Sequence, residues 1–254
     1  MNLLLIEPGS LAPDGTARLT GDPAHHAANV LKANAGDRLR IGLLNGPRGM
    51  GTVQRITPDE VILACEFEAE PPPPPAVDLL LALPRPKVMR RLWAQLAALG
   101  VGRIFLTNAW KVERMYFDAH AVQPEVYRPL LIEGLQQAQD TRLPEVRVFK
   151  QFKIVVEDEL PRLCPDGIRL MAAPGPHPDI ASALGVWPSG GRVLLAVGPE
   201  GGWIPYEEER LLQHGFTPVS MGARTLRTDT ACLALLTLVH AALAGTPVGG
   251  DVQE

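Results

Sequence analysis

The chain has 254 residues, 46% of them hydrophobic and 20% charged, which suits a globular protein with a sizeable core in one large domain or two smaller ones. A formal net charge of -4 gives no overall attraction to nucleic acid, so any such affinity rests on how the charge is distributed. Cys65, Cys164 and Cys232 match no metal or redox spacing, their odd number argues against a disulfide framework, and MNLLLIEPGS lacks a basic leader, so a cytoplasmic protein without a signal peptide or bound metal is expected.

Residues 1–70 read as a small β-rich unit. LLLIE, DRLRIGLL, GTVQRI and EVILACEFE are short runs separated by turn signals at Pro13-Asp14-Gly15, Gly46-Pro47 and Pro58-Asp59. One helix interrupts them over residues 23–33, with Asp22 as its N-cap and Gly36 past its end. Prolines 71–75 then exclude both helix and central strand, and predict a stiff polyproline linker ahead of a second domain, 76–254.

That domain opens with VDLLLAL, a helix over 87–99 closed by Gly100, and GRIFLT, a strand–helix–strand unit with parallel pairing. At helical spacing Val88, Leu92, Leu96 and Leu99 form the core stripe and Lys87, Arg90 and Arg91 fall opposite. Residues 85–114 hold Arg85, Lys87, Arg90, Arg91, Arg103, Lys111 and Arg114 against the lone acid Glu113. Such a segment is what phosphate contacts need, or else a solvated face paired by acids from elsewhere. Trp93, Trp110 and Tyr116 are candidate base-stacking rings, with Trp93 better suited to the core.

A helix over 124–139 follows, in which Pro129 predicts a kink or a later true start. It leads to Gln136, Gln137, Gln139 and Arg142. Strands IRLMAA, RVLLAV and TPVSMG then alternate with helices near 154–160 and 206–214, and a last helix begins near Asp229. The fold class is α/β with a mainly parallel sheet. The apolar run 231–245 carries Thr237 and His240 and is shorter than a membrane span, so it reads as a buried helix with no membrane partner.

Ligands in such sheets bind beyond the carboxyl ends of strands, here residues 171–175, 197–202 and 221–227, which together would make one cleft. No GxGxxG follows the first strand and no GxxxxGK[ST] occurs, so neither dinucleotide nor P-loop nucleotide binding is expected. In VGPEGG the three glycines allow positive φ and close backbone approach to a ligand, although alone the motif is also an ordinary turn.

Taken together, HHAANVLKANAGDRLRI, LPRPKVMRRLWAQLAALGV, EGLQQAQDTRLPEV, LLAVGPEGGWIPYEEE and MGARTLRTDTACLALL cover nearly the whole chain in order. In this the sequence resembles the RsmE family of 16S ribosomal RNA uridine-N3 methyltransferases, in the SPOUT class of S-adenosylmethionine enzymes. The resemblance implies an N-terminal PUA-like RNA-binding domain, a C-terminal SPOUT domain with a deep trefoil knot, and a homodimer acting on 16S rRNA within the small ribosomal subunit. Another RNA base or a ribose as target, or a silent RNA-binding or ribosome-assembly protein, are the alternatives. The implied cofactor residues are Val197, Gly198, Glu200, Gly201, Gly202, Met221, Gly222, Leu226, Arg227, Thr228 and Ala231.

The implied chemistry needs charge control more than metal, since a uridine N3 is nucleophilic only once its proton leaves and the charge is stabilised. Arg227 is the candidate stabiliser, or an arginine paired with Glu200 or Asp229. Glu200 either accepts a proton or orients a ligand amine, or bonds loop N–H groups. RNA contacts are expected from His25, His26, Lys32, Arg85, Lys87, Arg90, Arg91, Arg114 and Arg142, the last also readable as a surface arginine. Glu207 at a helix start is expected to cap it.

Overall fold

The computed structural model describes residues 3–185, 191–222 and 224–245, so Ala223 of the second loop lies outside the described residues. The chain divides into two compact units: Met1–Pro74 with Pro129–Leu143, and Pro75–Arg128 with Pro144–Glu254.

The first unit is a five-stranded sheet of β1 (Leu4–Ile6), β2 (Thr16–Thr20), β3 (Arg38–Leu43), β4 (Arg48–Ile56) and β5 (Glu60–Phe67), in the order β1-β3-β4-β5-β2. β1 pairs with β3 in parallel and the rest are antiparallel. Alternate residues such as Ile41, Val53, Val61 and Leu63 enter a core closed by Ala24 and Ala27. Those alanines belong to α1 (Asp22–His25) and the π-helical turn His26–Val30 that continues it. The helix cap is Gly21, with φ of 65°, and Asp22 sits in the first turn, one residue from its expected place.

Pro129–Leu143, which the sequence reading puts in the second domain, belongs to the first unit because its backbone bonds there. Leu3 N–H donates to Gln136 O (3.0 Å) and Asn45 N–H to Thr141 O (2.7 Å). Thr141 is fully buried, and a Cβ on Gly42 would meet its methyl at 2.5 Å. Only glycine lets β3 accept this segment.

The second unit holds a six-stranded sheet of β6 (Val77–Ala82), β7 (Val101–Thr107), β8 (Glu145–Phe149), β9 (Ile168–Ala172), β10 (Val193–Val197) and β11 (Phe216–Val219). The order is β11-β9-β10-β6-β7-β8, with every pairing parallel. β6 and β10 are buried along their whole length, as continuous apolar runs in a parallel sheet must be. β2 and β8 are strands that the sequence reading lacks. Each lies at a sheet edge and turns polar residues outward (Arg18 and Thr20; Glu145 and Arg147), so no apolar run announces it.

The helices are α2 (Pro86–Ala98), α3 (Pro124–Ala138), α4 (Phe152–Ile154) and α5 (Leu160–Leu163) joined by a π-helical turn, α6 (Ile180–Leu184), α7 (Pro205–Gln213) and α8 (Thr228–Gly245). α3 begins at Pro124 and carries Pro129 inside it. On α2 the buried residues are Met89, Leu92, Trp93, Leu96 and Ala97, with Val88 and Leu99 half-buried. The stripe is rotated from the expected one because residues 121–127 form a second wall: Trp93 donates Nε1–H to Ala121 O (2.8 Å) and packs on Tyr127 at 4.9 Å.

α8 is 18 residues long with mean hydropathy 1.4, enough by length and composition for a membrane span, yet it packs on α2, α6, β6 and β10. The expected burial holds for one face only: Thr228, Cys232, Leu235, Leu236 and Val239 are buried, while Leu238 is exposed.

Candidate functional site

Because β11, β9 and β10 are neighbours in one parallel sheet, their carboxyl ends lie side by side. The chain leaving each is a loop: Ala173 and Pro174 after β9, Gly198–Trp203 after β10, and Ser220 onward after β11. These three loops and the start of α8 enclose a cavity of about 240 Å3. Val197, Gly198, Glu200, Gly201, Gly202, Met221, Gly222, Leu226, Thr228 and Ala231 all line it. Arg227 instead lines a neighbouring groove with Arg91, Leu226 and Asp229.

Backbone contributes to the walls. Gly202 has φ of 72° and Gly222 of 106°, left-handed conformations in which a Cβ is strained, so these glycines bring main chain to the cavity surface. The first loop is closed by Gly202 N–H to Pro199 O (2.8 Å) and held to α8 by Thr228 Oγ1–H to Gly198 O (3.4 Å). Trp203, absent from the sequence expectation, forms part of the wall. It is buried, packs on Phe152 with ring centroids 5.5 Å apart, and its indole N–H has no partner among the described residues. Nothing local signals it, because a tryptophan after a glycine pair reads as core.

Glu200 is half-exposed, with Oε2 3.8 Å from Arg85 Nε. Arg227 extends into solvent, with Nε 3.8 Å from Asp229 Oδ1. Of the two partners read for Arg227, the structure brings Asp229, and Asp229 also accepts from Arg91 at 3.2 Å. Glu207 caps α7 as expected: it is buried, and Oε2 accepts from Ile204 N–H (3.0 Å). Its Oε1 also accepts from Trp110 N–H (2.7 Å). Cys232 on α8 is fully buried, and burial pushes its thiol up to about 12, which removes it as a nucleophile.

The basic segment is less uniform than its composition. Arg85, Lys87, Arg90, Arg91 and Arg114 are exposed. Lys111 donates to Gly201 O. Arg103 turns inward to Asp78, 2.5 Å away, so it belongs to the core rather than to a phosphate-facing surface. In the first unit His25 is exposed with Nε2 3.9 Å from Asp59, His26 is half-buried, and Lys32 is exposed in a left-handed conformation (φ 51°). Arg142 is committed to the main chain, donating to Pro72 O (2.7 Å) and Asn45 O (3.2 Å).

Comparison with known proteins follows the same division. An RNA methyltransferase domain family matches residues 71–240 and an RNA methyltransferase PUA domain family residues 19–64. The ribosomal RNA small subunit methyltransferase E of Treponema pallidum is 31% identical over 249 residues, covering 95% of this chain and 91% of that protein. The Bacillus subtilis protein of the same name is 24% identical over 88% of this chain and 89% of its own. Among solved structures, a ribosomal RNA small subunit methyltransferase E from Neisseria gonorrhoeae bound to S-adenosyl methionine superposes with a TM-score of 0.76 at 18% identity, covering 94% of this chain and 97% of that one. At that identity the likeness is one of fold.

Proposed function

The chain belongs to the ribosomal RNA small subunit methyltransferase E family, and from that membership we propose that it transfers a methyl group from S-adenosylmethionine to N3 of a uridine in 16S rRNA. The observation that carries this reading is the cavity into which β9, β10 and β11 deliver their loops. Its volume lies just below the usual range of about 300–1,000 Å3 for ligand pockets.

The lining fits the cofactor's chemistry. Main-chain groups around Gly198, Gly202 and Gly222 suit the edge of an adenine, and Glu200, Glu208 and Arg224 answer the cofactor's cationic and anionic groups. When bound, S-adenosylmethionine supplies an electrophilic methyl group. The chain's own residues position the uridine and manage its charge: Arg227 stabilises the negative uracil as the N3 proton departs, and Glu200 receives that proton or orients the cofactor's amine. Arg227 projects beside the cavity rather than into its wall, which suits a group that meets the substrate.

RNA contacts fall to Arg85, Lys87, Arg90, Arg91 and Arg114 in the second unit, and to His25, His26 and Lys32 in the first. The substrate is an rRNA, so the protein works in the cytoplasm with ribosomes. The exposed side of α8, with Leu238 and the groove through Leu226 and Leu233, supports a homodimer in which a second copy covers it. Insertion of β10 between β9 and β6 supports the knotted path that goes with the family. Nucleoside mass spectrometry of 16S rRNA from a deletion strain tests the reading: one N3-methyluridine should disappear, and an unchanged content would refute it.

A further inference from the structure

Of the three candidate base-stacking rings in or near the basic segment, Trp93, Trp110 and Tyr116, folding uses two. Trp93 is fully buried, and Tyr116 is half-buried with its hydroxyl on Glu113 at 3.0 Å. Trp110 is different: it is 80% exposed. An indole left in water forgoes the burial that a core position would provide, so the fold gains little from the ring itself.

The backbone that carries the ring is nevertheless fixed. Trp110 N–H is held by the buried carboxylate of Glu207, and Val112 N–H closes a turn on Ala109 O at 3.0 Å. The next residue, Lys111, reaches the carbonyl of Gly201 in the cavity wall. Its stem lies so close that a Cβ on Gly201 would meet Lys111 Cδ at 2.7 Å. An exposed aromatic face is therefore carried on a backbone that is tied, one residue on, to the wall of the cofactor cavity. The segment that carries it is cationic: Lys87, Arg90 and Arg114 are exposed and lack an ion-pair partner among the described residues.

We propose that Trp110 is a substrate-binding platform on which an unpaired RNA base stacks, so that the target nucleotide is presented at the cavity mouth. Every base has a π-face, and stacking on an aromatic side chain strengthens binding by about 1–3 kcal/mol, roughly five- to 150-fold. The exposed cations of the same segment select an RNA over a neutral protein surface as the occupant. This inference rests on the function proposed above, and deepens it by naming how the substrate is held.

The experiment compares wild type, Trp110→Ala and Trp110→Phe in three measurements: affinity for a short single-stranded RNA, KM and kcat on unmethylated small ribosomal subunits, and S-adenosylmethionine affinity by calorimetry, with sedimentation as a check on assembly. Trp110→Ala should weaken RNA binding and raise KM about tenfold, and Trp110→Phe should recover most of the loss. Cofactor affinity and sedimentation should not move. Unchanged RNA affinity in Trp110→Ala would overturn the proposal. A Phe variant as weak as the Ala variant would do so too, and a changed sedimentation coefficient would assign the ring to a second copy of the chain. Absence of methylation by wild type would refute the proposed function instead, while RNA affinity would still decide for or against the platform.

Discussion

The two ends of the six-stranded sheet each hold arginine–carboxylate pairs, in opposite settings. At the amino ends of β6 and β7, Asp78 is fully buried and takes Arg103 at 2.5 Å and Arg192 at 2.6 and 2.9 Å. Burial works against the Arg103 charge, but the hydrogen bond and charge of Asp78 outweigh it and raise its pKa above the usual value. At the carboxyl ends, Glu200 meets Arg85 and Asp229 meets Arg227, each at 3.8 Å, with both arginines largely in water. The same residue types close the structure at one end and stay free to meet a ligand at the other. Solvent access makes the difference, because water screens the outer pairs and leaves the inner ones to each other.

The sharpest way to break this contrast is at the buried end. Asp78→Ala strands two arginines and should cost about 3–5 kcal/mol of stability in urea unfolding; an unchanged midpoint would make the two ends equivalent. At the other end, Arg227→Ala should lower kcat by about 10²–10³, as loss of a charge-stabilising donor does, with cofactor affinity nearly unaltered. An equal loss in both would move Arg227 into cofactor binding. Replacing Arg90 and Arg91 together should lower the salt slope of RNA binding by about 1.4, at about 0.7 per lost phosphate contact on a single strand. An unaltered slope returns that face to solvent. The smallest effect belongs to the Arg85–Glu200 pair: Glu200→Gln should change stability by less than about 1 kcal/mol, while a larger drop in thermal unfolding would show that this end too is structural.

Much of this was legible in residue order. Apolar runs marked β6 and β10, Gly100 closed α2, and the glycines of VGPEGG marked a loop that now lines a cavity, because local periodicity and left-handed backbone leave local signatures. The basic segment was visible as composition. Partner choice was not. Arg103 and Arg90 look alike in sequence, yet one meets Asp78 across a strand pair and the other faces solvent. Trp93 and Trp110 likewise part ways only once residues 121–127 wall in the first and Glu207 fixes the backbone of the second.

The segment Pro129–Leu143 carries the same lesson at the scale of a unit. Its helical spacing was plain, but its allegiance depends on bonds to Leu3 and Asn45, about a hundred residues away. The sequence by itself determined the α/β alternation, the two glycine-bearing loops and the supply of cations. The tertiary structure alone decided that β9, β10 and β11 stand side by side, that one arginine turns inward and that one indole turns out, because contacts between distant residues write no period into the chain.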